Sequence, residues 1–69
     1  MGQMPASVAA AYERAAKTHE RAAVLEERAA DFYARCGQTV AAERHRAAAR
    51  CHAVLAEDDH RRGHAAGDA

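Results

Sequence analysis

A seven-residue repeat occupies the first half of the chain and limits what it can fold into. Three successive copies begin at Tyr12, His19 and Glu26, and each first residue is followed by Glu-Arg-Ala-Ala. These are strong helix formers, and a heptad returns the same residue types to the same face of a helix. The repeat therefore predicts a long helix that packs along its whole length against other helices, in an all-α fold.

Gly37 ends the repeat and divides the chain into two helices. Glycine adopts the left-handed conformation that ends a helix without steric cost. The connection to the next helical stretch is so short that the two helices must run antiparallel, as a hairpin. The predicted segments are a flexible lead (1–6), a first helix (about 7–36), a turn (37–39), a second helix (about 40–62) and a disordered tail (63–69).

Alanine dominates the predicted packing surfaces, supplying 21 of the 69 residues. An alanine methyl removes little apolar surface from water, and chains below about 70–80 residues rarely stabilise themselves by a core alone. Four of the seven heptad positions on the first helix are apolar or small, which is wider than the two-position seam of a coiled coil. Such a helix touches two neighbours. We therefore predict that two hairpins pair into a homodimeric four-helix bundle.

The buried face of the second helix is expected to centre on Ala41, Ala48 and Leu55, which are spaced by seven residues. The heptad of the first helix supplies the residues that face it. The residues predicted to lie in the packed interfaces are Tyr12, Ala15, Ala22, Leu25, Ala29, Phe32, Tyr33, Ala48, Cys51 and Leu55.

Four polar residues fall on these otherwise apolar stripes: His19 and Glu26 on the first helix, His45 and His52 on the second. One interpretation is that they form interhelical polar pairs that set the register of the helices. The other is a metal site, because Glu and His from facing helices bind metals inside bundles, and a two-fold dimer would double the set. None of these four residues forms the Glu-x-x-His motif of di-iron bundles, which favours the polar pairs.

Charge and composition argue against several classes of function. Ten basic residues balance ten acidic ones, so the chain has no general attraction for nucleic acid or an anionic membrane surface. No apolar stretch approaches the roughly 20 residues that span a bilayer. We expect a cytoplasmic protein in which the two cysteines are thiols. Because no nucleophile with an oriented base and no glycine-rich phosphate loop can be identified, we expect no catalysis.

These observations predict a small non-catalytic helical interaction or assembly module that acts as a homo-oligomer and binds a further protein. Val24, on the charged outer face of the first helix, and the tyrosines at the ends of that helix are candidate contact points. No cofactor is expected in this interpretation. Two alternatives stay open: a bundle that binds a transition metal such as zinc through the four polar residues, and an accessory subunit of a larger complex.

Overall fold

The computed structural model describes residues 4–68 and consists of two helices. Helix α1 comprises Met4–Arg35 and helix α2 comprises Thr39–Asp68. They pack side by side in antiparallel directions, as a rod 57 Å long and 12 by 10 Å across. The predicted all-α hairpin is therefore confirmed. Neither helix, over the described residues, has an apolar stretch of the length needed to cross a membrane.

The turn between the helices has the geometry that its glycine predicts. Gly37 has a φ of 75°, in the left-handed region. The Gln38 N–H donates to the Tyr33 carbonyl at 2.8 Å, and the Gly37 N–H donates to the Ala34 carbonyl at 3.0 Å. This pair of bonds is the Schellman motif, which satisfies carbonyl groups that the end of α1 would otherwise leave unpaired. The Gln38 carbonyl then accepts the first bond of α2, from the Ala42 N–H, at 3.0 Å.

Both helices extend further than the sequence predicted. Helix α1 begins at Met4, inside the predicted lead, and α2 continues to Asp68, through the predicted tail. Residues 4–6 of the predicted lead and residues 63–68 of the predicted tail are thus helical in the structure. The remaining parts of both predictions, residues 1–3 and 69, lie outside the described residues.

Gly63 explains why α2 does not end where a glycine suggests. It is buried, and a Cβ at this position would lie 3.1 Å from the Tyr12 Cβ and 3.4 Å from the Ala9 carbonyl oxygen. The absence of a side chain lets the last turns of α2 approach the first turns of α1 closely. This packing between the ends of the two helices offsets the poor helix propensity of glycine.

Small residues form the buried centre of the contact between the helices, which we call the alanine seam. The fully or nearly fully buried side chains are Ala16, Ala30, Ala42, Ala49 and Ala56, and Gly63 continues the same column. Among the described residues, no large side chain is fully buried. Alanine-lined surfaces let helix axes approach toward the low end of the usual range of about 8–10 Å.

The face that α2 turns toward α1 differs from the predicted one by a single residue. The seam passes through Ala42, Ala49 and Ala56, whereas the prediction centred on Ala41, Ala48 and Leu55. One residue corresponds to a rotation of about 100° around the helix axis. As a result the Leu55 side chain is 46% exposed instead of central to the contact.

Candidate functional site

The four polar residues of the predicted stripes meet across the hairpin as two separate pairs, which we call the polar pairs. His45 Nδ1 lies 2.6 Å from Glu26 Oε1, and His19 Nδ1 lies 2.9 Å from His52 Nδ1. On each helix seven residues separate one pair from the other, so the pairs are about 10 Å apart along the rod. The structure therefore brings each histidine to a partner on the facing helix, but it does not bring all four residues to one point.

The arrangement distinguishes the two interpretations of these residues within one chain. The Glu26–His45 contact has the form of an interhelical polar pair. Among the residues that the structure describes, no group of three or more His, Cys, Asp or Glu side chains could hold a metal ion. The four-residue metal set is thus not assembled by a single hairpin, since Glu26 contacts His45 and not His52.

Each polar pair has a further neighbour that the sequence interpretation missed. The Tyr33 ring stacks on the His45 ring, with centroids 5.2 Å apart and planes inclined by 4°. His19 Nε2 lies 3.9 Å from Asp59 Oδ2, and the Asp59 side chain is only 17% exposed. The signal for Asp59 is its spacing: it follows His52 by seven residues, and His52 follows His45 by seven.

Ion pairs connect the helices along one side of the rod, which we call the charged side. His60 Nε2 lies 3.0 Å from Glu20 Oε2, and His60 Nδ1 lies 3.4 Å from Glu13 Oε1. Nearer the turn, Arg46 Nη2 donates to Asp31 Oδ1 at 3.5 Å. The hydrogen bond to Glu20, with the negative charge of Glu13 in addition, raises the pKa of His60 above its ordinary value.

The surface of the rod away from the charged side is apolar, as the positions of two leucines show. Leu25 follows Glu20 by five residues on α1, and Leu55 precedes His60 by five residues on α2. Five residues turn a helix by about 140°. On facing antiparallel helices, steps of opposite sign rotate toward opposite sides. Leu25 therefore reaches the outer face of α1, about 180° from Ala16 of the alanine seam, and Leu55 lies about 120° from Ala49, on the flank of the polar pairs. Neither leucine lies on the charged side, and we call the surface that runs from Leu55 past the polar pairs to Leu25 the apolar side.

Exposed hydrophobic side chains are the main feature of this apolar side. Leu25 is 62% exposed and Phe32 54%. Arg62, whose Nε donates to Asp58 Oδ2 at 2.7 Å, lies on the same side toward the end of the rod away from the turn. The residues of the apolar side are Ala22, Leu25, Ala29 and Phe32 on α1 and Ala41, Ala48, Cys51 and Leu55 on α2.

None of the residues predicted to lie in packed interfaces is fully buried in a single hairpin. The half-buried members of that set are Tyr12, Ala15, Ala22, Ala29, Tyr33 and Ala48, and the exposed members are Leu25, Phe32, Cys51 and Leu55. Cys51 and the second cysteine, Cys36, are free and exposed. The predicted interface residues therefore surround the apolar side, while the alanine seam uses other positions.

The polar pairs lie between the alanine seam and the apolar side. On α1, Leu25 is about 120° around the helix from His19 but about 180° from Ala16 of the seam. On α2, Leu55 is about 60° from His52 but about 120° from Ala49. A molecule that covered the apolar side would therefore also cover the polar pairs.

Val24 lies on the charged side and is 50% exposed. It lines a shallow depression together with residues of both helices, among them Glu27, Arg50 and Ala53. This depression is open on the side of the rod opposite the apolar side.

Comparison with protein-family models, with curated proteins and with solved structures found no match in any of the three. The functional argument therefore depends on the residues of this chain.

Proposed function

We propose that this chain is a non-catalytic assembly module. Two hairpins associate through their apolar sides into a homodimeric four-helix bundle, and the dimer binds a further protein. One observation carries the proposal: the large apolar side chains Leu25, Phe32 and Leu55 are exposed away from the charged side of a hairpin whose buried residues are alanine and glycine.

The free energy of apolar burial explains why this side needs a partner. Burying a Leu or Phe side chain stabilises a structure by about 1.5–3 kcal/mol, whereas one methyl or methylene group contributes about 0.8 kcal/mol. The alanine seam therefore stabilises the fold only through buried methyl groups. Association through the apolar side would also bury Leu and Phe side chains. A chain of this size needs that additional stabilisation, because its core alone gives little.

A second copy of the chain fits the apolar side. The rod is 57 Å long and 12 Å wide. A side of this length lets both helices of a second rod pack along it. The formal net charge is zero, so two copies do not repel each other through net charge. Helices of 32 and 30 residues have nearly equal lengths, so two rods can overlap from end to end.

The charged side faces outward in such a dimer and is the surface we assign to a further protein. Val24 and the depression around it would be repeated once on each outer side of the bundle. An exposed aliphatic side chain with charged neighbours resembles the anchor and polar rim of a protein interface.

Neighbouring substitutions on opposite sides of the rod test the dimer. Leu25→Glu places a charge in the proposed interface, and Val24→Glu places the same charge on the charged side. We expect untagged wild-type protein to sediment as a dimer of the 7.4 kDa chain. Leu25→Glu should raise the dimer dissociation constant at least about 100-fold, since an unpaired charge is buried, while Val24→Glu should leave it unchanged.

Circular dichroism of each variant separates loss of the dimer from loss of helix. Wild-type protein that stays monomeric at about 100 µM, far above the dissociation constants of typical specific dimers, would refute the proposed dimer and favour the accessory-subunit alternative. Equal weakening by Val24→Glu and Leu25→Glu would show that the dimer uses a different surface.

A further inference from the structure

We propose that His19 and His52 form half of a binding site for a divalent transition metal, and that the same two residues of a second copy complete the site at the centre of the dimer. The inference rests on the homodimer proposed above, because one chain supplies only two of the four ligands. Imidazole nitrogen is a ligand that suits zinc and its neighbours among the transition metals.

The two imidazoles already direct the same atom toward a shared point. His19 Nδ1 and His52 Nδ1 are 2.9 Å apart, on different helices. Two nitrogens bound to one tetrahedral zinc, each about 2.0–2.1 Å from the metal, are about 3.4 Å apart. Small side-chain rotations would open the pair to that separation. In the hydrogen-bonded pair at least one ring is neutral, because one nitrogen must accept the proton that the other donates.

Asp59 occupies the place of a carboxylate that orients a metal-binding histidine. Its Oδ2 lies 3.9 Å from the Nε2 atom of His19, on the side of the ring away from His52. Histidines that bind a metal through one nitrogen commonly direct the other N–H to a carboxylate, which holds the ring orientation and increases its basicity. His19 would therefore bind the metal through Nδ1 and contact Asp59 through Nε2.

The position of the pair along the rod brings two copies together. His19 is residue 16 of the 32 in α1, and His52 is residue 14 of the 30 in α2, so the pair lies near the middle of the hairpin. When two rods overlap fully in a two-fold dimer, the two-fold symmetry axis runs either parallel to the rods or perpendicular to them through their midpoint. Both arrangements place the middle of one copy level with the middle of the other.

The pair also lies on the correct side of the rod. His52 is about 60° around α2 from Leu55 of the apolar side. In a dimer formed through the apolar sides, the two His19–His52 pairs would thus face each other across the interface and offer four imidazoles. This explains how a metal could bind although the described part of one chain has no group of three or more ligands.

Glu26 and His45 are not assigned to this site. Their own hydrogen bond of 2.6 Å already satisfies both groups, and they lie about 10 Å away along the rod. They therefore provide a matched control, because His45 is a second half-buried histidine on the same flank of the alanine seam.

Zinc titration of metal-free, untagged protein tests the site. Calorimetry should give one zinc per two chains, and sedimentation should show that zinc lowers the dimer dissociation constant at least tenfold. His52→Gln and His19→Gln, which keep a neutral polar side chain, should each weaken zinc binding at least 100-fold. His45→Gln should leave zinc affinity within threefold of the wild type. Asp59→Asn should weaken it by about 10–100-fold, as for other groups that orient metal ligands.

The outcomes separate this inference from the proposed dimer. A dimer that binds no zinc, or that binds it equally well after His52→Gln, would overturn the metal site and leave the assembly module intact. One zinc per monomer, or equal loss of zinc binding in His45→Gln, would overturn the ligand set. A chain that is monomeric with and without zinc would overturn both proposals. Circular dichroism of every variant shows whether the helices are retained.

Discussion

The charged side and the apolar side of the rod differ in whether their side chains find partners within one chain. On the charged side, Glu20 and His60 or Asp31 and Arg46 meet across the alanine seam, because their side chains are long enough to span it. On the apolar side, Leu25 and Leu55 point away from the seam and remain exposed. Exposed ion pairs stabilise a fold by only about 0–1 kcal/mol each. The ion pairs of the charged side therefore contribute little to the free energy of folding. Burial of Leu25 and Leu55 by a partner would contribute more.

Adjacent alanines on the two surfaces of α2 give the largest expected contrast. Ala49 is in the alanine seam and Ala48 is on the apolar side. Ala49→Leu should lower the free energy of unfolding by about 1–3 kcal/mol, because the larger side chain forces the helices apart. Ala48→Leu should lower it by no more than about 0.5 kcal/mol, since the new side chain meets no opposing helix in the hairpin. Urea unfolding followed by circular dichroism measures both.

Equal destabilisation by these two substitutions would contradict the rotation of α2 that places Ala49, and not Ala48, against α1. An increase in the stability of Ala48→Leu with protein concentration would add support for the dimer, because the added apolar surface would lie in its interface.

Substitutions of two glycines of α2 should change the free energy of unfolding in opposite directions and by intermediate amounts. A Cβ at Gly63 would lie 3.1 Å from the Tyr12 Cβ, whereas a Cβ at Gly67 would lie 3.9 Å from the Ala9 Cβ, an ordinary contact. We expect Gly63→Val to lower the free energy of unfolding by about 1–3 kcal/mol through overpacking. Gly67→Ala should raise it by up to about 1 kcal/mol through better helix propensity. Thermal unfolding at fixed protein concentration compares the two, and a melting temperature raised by Gly63→Val would show that the ends of the helices are not closely packed.

The smallest expected effect concerns the charged side and depends on pH. Because the hydrogen bond to Glu20 raises the pKa of His60 in the folded chain, the proton on His60 binds more tightly there than in the unfolded chain. Its stabilising contribution is complete below the ordinary histidine pKa of about 6.5 and is lost as pH rises through the raised value.

His60→Gln isolates this contribution from that of the other histidines. The wild type should melt at a higher temperature than the variant at about pH 5.5, with the difference disappearing by about pH 8.5, when His60 is neutral. Glu20→Gln should reduce the same difference. A gap between wild type and variant that widens toward alkaline pH would contradict the proposed ion pair.

The sequence predicted the parts of the site that follow from spacing. Residues His19 and Glu26 repeat at seven residues on one helix, and His45 and His52 repeat at seven on the other. A hairpin joined at Gly37 then places the two polar residues of α1 at about the same heights along the rod as the two polar residues of α2. The spacing alone did not decide which histidine Glu26 contacts, since His45 and His52 are seven residues, or about two helical turns, apart and a register between them favours neither. The backbone bonds around Gly37 determine that register.

The rotation of α2 could not be read from the sequence. Two columns of residues spaced by seven run along α2, one through Ala41 and Ala48 and the other through Ala42 and Ala49. Both consist of alanine at these positions, so both are suitable for burial. Leu55 favoured the wrong column because a large apolar residue usually marks the core. In this hairpin small residues form the contact, and the signal in favour of the other column was Gly63, which follows Ala56 by seven residues.

The amino-acid sequence by itself determined that this chain forms two helices, that Gly37 joins them and that they run antiparallel, because heptad repeats and the conformational freedom of glycine are local properties. Only the tertiary structure decided which face of α2 contacts α1, that the helix continues through Gly63, and that His19 meets His52 near the middle of the rod. These features depend on how closely two alanine-lined surfaces approach, and that distance follows from the packing of both helices together.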